Sequence, residues 1–138
     1  MEIIGKWSND ILYAPYSHSD EVLVFLPNGS GVLEVYNLSL CWYETFTYWV
    51  KGNAVNIIGG SYYHYDFHKH RIEKLPARLN FSGQFSLGAG INVYGGAIDI
   101  LKFENWSYNT IPDRYGRVPS FEPLAYTPPS FQEWVHDD

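Results

Sequence analysis

Residues Glu21 to Gly60 carry the clearest pattern of hydrophobic and polar positions in the chain, short β-branched and aromatic runs separated by turn residues. The first run, Glu21-Val22-Leu23-Val24-Phe25-Leu26, stops at Pro27-Asn28-Gly29-Ser30-Gly31. Proline presets a negative φ and ends ladder pairing, and Asn-Gly tolerates positive φ, so the chain reverses there as a hairpin. The return arm runs from Val32 through Tyr36 and Leu40 to Val50. It is too long for one straight strand and is expected to break near Asn37. Lys51-Gly52-Asn53 forms a second turn, and a third arm, Ala54-Val55-Asn56-Ile57-Ile58, is expected to stop at Gly59-Gly60.

Because strand side chains alternate between faces, Trp42, Glu44, Phe46, Tyr48 and Val50 share one face, and Tyr43, Thr45, Thr47 and Trp49 share the other. The Phe46/Tyr48 face is assigned inward. Glu44 is then anomalous, since an interior carboxylate needs a partner, a shifted pKa or water.

The flanking chain extends the β reading. Ile3-Ile4-Gly5-Lys6-Trp7-Ser8 is a short opening strand, with Trp7 large enough to plug one end of a barrel. Ile11 to Asp20 is a connector rich enough in apolar side chains to pack as a loop. Ala77 to Phe81, Gln84 to Leu87, Ile91 to Tyr94 and Ala97 to Phe103 are four further candidate strands. Gly83, Gly88, Gly90, Gly95 and Gly96 lack the spacing of a dinucleotide loop and fit tight turns instead. From Asn105 onward, Pro112, Pro119, Pro123, Pro128 and Pro129 interrupt a stretch that still holds Trp106, Tyr108, Tyr115, Phe121, Tyr126, Phe131 and Trp134. Prolines remove backbone donors and aromatics resist disorder, so an extended arm wrapped over the barrel is expected. Ser130 with Glu133 three residues on signals a short terminal helix to about Val135.

Gly5-x-Trp7 at the start, a strand ending in Phe25-x-x-x-Gly29, and Phe46-Thr47-Tyr48-Trp49 followed by Gly52-Asn53 and Val55-x-Ile57 together resemble the bacterial lipocalin-like group of the calycins, over about the first 60 residues. The resemblance implies an all-β fold, an antiparallel up-and-down barrel of about eight strands with room for one small ligand. It implies that Trp7 closes the barrel base, that Arg78 or Arg114 packs over it, and that the connector forms a lid. A barrel filled by its own aromatic side chains remains the rival reading.

Composition bounds the rest. The 138 residues suit a single domain, with residues 1–104 as barrel and 105–138 as the arm. Aromatic residues make up 18% of the chain and Met occurs once, which disfavours a helical bundle. A net charge of −6 offers no footprint for nucleic acid. Cys41 stands alone, so it reads as a buried inert thiol, with neither an internal disulfide nor a thiolate metal cluster. With no basic segment leading an apolar one at the N-terminus and no run long enough for a bilayer, the expected location is cytoplasmic, without membrane contact.

Three functional readings follow. In the first, a non-catalytic barrel binds a small apolar or amphipathic ligand, with Trp42, Phe46 and Tyr48 as wall and Glu44 with Arg78 fixing a polar group. In the second, a filled barrel acts as a protein-interaction module, of inhibitor or immunity-like kind, through its acidic surface and aromatic arm. The third is a metal-dependent enzyme centred on His64, Asp66, His68 and His70. On a continuous strand His64 and His68 would lie about 13 Å apart, too far to share a metal, whereas His68 and His70 at about 6.6 Å could. Against it, Tyr63, Tyr65 and Phe67 are expected to pack inward with the histidines solvated. No nucleophile elbow, zinc helix or phosphate loop occurs, so no catalytic residues and no cofactor are assigned.

Overall fold

The computed structural model describes residues 2–13, 19–66, 68–108 and 111–127. Nine strands are described: β1 (Gly5–Ser8), β2 (Ser19–Phe25), β3 (Ser30–Asn37), β4 (Ser39–Lys51), β5 (Ala54–Asp66), β6 (Arg71–Pro76), β7 (Asn80–Ile91), β8 (Ala97–Phe103) and β9 (Arg114–Arg117). A single helical turn, α1 (Asn9–Tyr13), follows β1, and a 3-10 turn spans Pro123–Ala125. All pairings are antiparallel, in the order β4-β3-β2-β1-β9-β8-β7-β5-β6. A further antiparallel pairing of β4 with β5 closes the sheet into a ring. β6 lies outside the circuit, extending the sheet along the distal half of β5.

The turns follow their chemistry. Asn28 Oδ1 accepts from both the N–H and the hydroxyl of Ser30, and Gly29 takes a φ of +85° that costs other residues. The break expected near Asn37 is at Leu38, which is exposed and held at a φ of 68°.

Several expected boundaries move. The chain does not stop at Gly59-Gly60. β5 runs through them, and a bulge at Gly60-Ser61, opposite Thr45 of β4, takes up the one extra residue. A Cβ at Gly59 would sit 2.6 Å from Ala77 Cβ and 2.9 Å from the Leu79 carbonyl, so glycine here permits a close crossing of segment 77–79. The stretch Ser61 to Glu73 is not one strand: it turns after Asp66 and returns as β6. The strands expected at Ala77–Phe81 and Gln84–Leu87 merge into β7, and Asn92 opens a turn where Ile91–Tyr94 was expected to be extended. β9 comes from the segment expected to lie over the barrel, yet it is a member of the ring, between β1 and β8. Residues 14–18 of the connector, Phe67 and the Ser130–Val135 helix fall outside the described residues.

The bulge also reverses parity. Tyr48 faces Ile57, but beyond the bulge Glu44 faces Tyr62 and Trp42 faces His64, and directly opposed residues share a face. Tyr62 and His64 therefore lie on the Trp42/Glu44 face. Tyr63 and Tyr65 turn outward, which corrects the inward placing expected for them. Tyr63 stacks on Tyr43 at 4.9 Å, and Tyr65 joins Leu40 in a small outer cluster.

Inside the ring, Trp7, Leu23, Phe25, Leu33, Phe46, Ile57, Leu101, Phe103 and Tyr115 form one buried core. Phe25 meets Phe46 and Tyr48 edge-on at 5.4 and 5.0 Å. Trp106, from the β8–β9 connection, stacks on Phe103 at 4.6 Å, and Tyr108 follows it at 4.8 Å. The ring is thus packed with its own aromatic side chains along much of its interior. Cys41 is half-buried rather than buried.

Candidate functional site

Glu44 is inward, as its strand alternation requires, and only 1% exposed. Its carboxylate accepts from two backbone donors, the Arg78 N–H at 2.9 Å and the Leu79 N–H at 2.6 Å. The Arg78 guanidinium is more distant, its Nε 3.8 Å from Glu44 Oε1, and its side chain is half exposed. That guanidinium lies over both Trp42, at 4.5 Å, and Tyr62, at 4.4 Å. Trp42, Glu44 and Arg78 therefore do come together. The Glu44 carboxylate holds the main chain of segment 77–79, which crosses Gly59, and at 1% exposure it offers a ligand almost no surface. Phe46 is buried in the core, and Tyr48 lies towards the far end of β4 from Trp42.

The histidine stretch is similarly committed to structure. Asp66 Oδ1 accepts from the N–H groups of His68 and Lys69, which makes the turn after β5 and holds the Asp66 carboxyl below its usual range. His68 and His70 are exposed on that turn, and His70 has a φ of 50°. His64 Nε2 is 3.4 Å from Glu73. Glu73 is held low chiefly by the hydrogen bond from Lys69, at 2.9 Å. Among the described residues no three His, Cys, Asp or Glu side chains converge as metal ligands.

The base of the ring is organised by Trp7. It is fully buried, and its indole N–H donates to the Ile3 carbonyl at 2.8 Å, folding the N-terminal segment across the ring end. The arginine over its ring is Arg117 of β9, at 4.2 Å, and neither Arg78 nor Arg114. Arg117 also donates to the carbonyls of Ile4 and Glu2, at 3.1 and 2.6 Å, and to Asp99 at 3.2 Å.

Beside this plug lies an open cleft of about 670 Å³. One wall is the N-terminal segment with Ile3. The β2–β3 and β4–β5 turns supply the rim through Pro27 and Gly52, and Tyr48, Phe85 and Leu87 supply the floor. The Tyr48 hydroxyl donates to the Leu26 carbonyl at 2.5 Å, and burial pushes its pKa up, with the Glu2 carboxylate adding to the rise. Of the five residues expected to bind a ligand, only Tyr48 lines this cleft. Ile3, Phe85 and Leu87 were read as strand residues. Nothing in local spacing marks them as neighbours, because the ring closure that unites them is a long-range event.

Tyr115 is the remaining irregularity. It is fully buried, its hydroxyl has no hydrogen-bond partner, and burial raises its pKa well above that of a free phenol. Compared with known proteins, the chain matches no family model, no curated protein and no solved structure.

Proposed function

We propose that the chain is a non-catalytic binder of one small apolar or amphipathic molecule, built on a lipocalin-like up-and-down β-barrel, with its ligand in the cleft beside the N-terminal plug. The observation that carries this reading is the cleft itself: about 670 Å³, floored by Tyr48, Phe85 and Leu87, within the range typical of small-molecule sites. The lipocalin-like assignment is supported by the buried Trp7 at the base with an arginine, Arg117, over its ring. The binding site is moved from Trp42, Glu44 and Arg78, whose polar groups serve the fold, to the other end of β4. The test is fluorescence of the neutral probe N-phenyl-1-naphthylamine. Wild type is expected to enhance it saturably, and Val50→Trp, which fills the cleft from an exposed position on the Tyr48 face, to abolish the enhancement with the thermal midpoint retained. Saturable uptake that Val50→Trp leaves intact places the ligand elsewhere, and no uptake by wild type removes the reading.

One feature favours a protein-interaction module instead. Ile91, Val93 and Tyr94 at the β7–β8 turn are 70%, 64% and 65% exposed, and clustered exposed apolar side chains are a mark of contact surfaces. Failure of ligand uptake would move the assignment to that turn.

A further inference from the structure

The electrostatics of the cleft discriminate between classes of amphiphile. This argument rests on the ligand-binding reading above and goes beyond it. Among the described residues lining the cleft there is one carboxylate, Glu2, and no lysine, arginine or histidine. The remaining polar groups among them are Asn53, the Tyr48 hydroxyl and backbone, Ser86 alternating outward between Phe85 and Leu87. The Tyr48 proton is already given to the Leu26 carbonyl, so towards a ligand this hydroxyl presents only lone pairs. The guanidinium beside the cleft, that of Arg117, is held by the Glu2 and Ile4 carbonyls and the Asp99 carboxylate, so its charge is engaged in closing the ring end. An anionic head group would enter against Glu2 and meet no cationic lining side chain, and burying an unpaired charge is costly. A cationic head would find a carboxylate and a phenolic acceptor. The net charge of −6 acts in the same sense at longer range. Burial raises the Tyr48 phenol pKa and the Glu2 charge adds to the rise, in keeping with a carboxylate placed near the cleft floor.

We infer that the cleft is selective for amphiphiles with a cationic amine head over those with a carboxylate head, with Glu2 as the discriminating residue and the apolar floor holding the tail.

The experiment is displacement of N-phenyl-1-naphthylamine at neutral pH by three compounds with the same tail, decylammonium, decanol and decanoate. The expected order is decylammonium, then decanol, then decanoate, with decylammonium about two- to fivefold tighter than decanol, the scale of an exposed ion pair. Glu2→Gln should bring decylammonium to the affinity of decanol. Raising salt from about 0.01 M to about 1 M should do the same in wild type, since screening shortens the reach of an exposed charge to a few ångströms. Equal displacement by all three compounds would overturn the selectivity and leave the ligand-binding reading standing. Tighter binding of decanoate would do so as well, as would an ammonium preference that survives Glu2→Gln. Displacement by none of them, together with no uptake of the naphthylamine, would remove both.

Discussion

The Arg117 guanidinium lies 4.2 Å above the ring of Trp7, so one group of β9 covers the indole that plugs the ring and at the same time ties down the Glu2 and Ile4 carbonyls. With the Asp99 carboxylate, four contacts converge on one planar cation, and lysine could not reproduce their geometry. Trp7→Ala should cost about 3–5 kcal/mol, as for other fully buried large aromatics. Arg117→Met keeps the stem packing but orphans two carbonyls, and should cost about 1–3 kcal/mol. Urea denaturation measures both, and a loss below about 1 kcal/mol for Trp7→Ala would mean that the plug does not hold the ring.

Glu44 and Arg78 should separate in a stability assay. The carboxylate is buried and receives two backbone N–H groups, so Glu44→Gln leaves one of them facing an amide donor and should cost about 2–3 kcal/mol. Arg78 is half exposed and 3.8 Å away, so Arg78→Ala should cost less than about 1 kcal/mol. Equal losses would make the ion pair, and not the backbone contacts, the stabilising element.

Asp20 and Glu21 contribute to acid behaviour in one direction. Burial raises the Asp20 pKa, partly offset by the Ser8 hydroxyl at 2.6 Å and the Asp10 N–H at 2.9 Å. Burial also raises Glu21, with the charges of Asp20 and Asp10 adding to it. A carboxyl with a raised folded pKa binds its proton more tightly folded than unfolded. Its contribution is therefore complete below the ordinary carboxylate range and is lost as pH rises through the folded value. Asp66 and Glu73 are held low and act in the opposite direction, so the informative quantity is the difference between variant and wild type. Between about pH 4 and about pH 7 the midpoint of an Asp20→Asn, Glu21→Gln double variant should rise relative to that of wild type. A constant difference across that window would contradict the assignment.

How far the fold can be read from the chain depends on the range of the interaction. The hairpin at Pro27–Gly31, the break beside Asn37 and the turn at Gly52 are local chemistry, and each lies where the residues require it. The inward Glu44 follows from the same period-two count. Gly59-Gly60 misleads because the features that normally end a strand here permit a bulge and the crossing of segment 77–79, and only the partner strand decides between them. Once that bulge is missed, the parity of Tyr62 to Tyr65 inverts. β9 is hidden for a different reason. Four residues, Arg114 to Arg117, sit among prolines, and their pairing with β1 spans most of the chain. Arg117 could not be placed over Trp7, nor the cleft assembled, without that closure.

The late position of β9 also sets an order of events in folding. β9 reaches β8 over a short stretch of chain, but until Gly116 meets Ser8, β1 and the far side of β9 each have an unsatisfied edge, and an open strand edge is a template for another chain. The contact that removes both of these edges has one of the longest sequence separations in the molecule, so it is slow by topology. The chain is therefore most exposed to aggregation while the strands on either side of the gap have formed and have not met. A version ending before Arg114 would be held permanently with such a gap, soluble only as far as something else covers it.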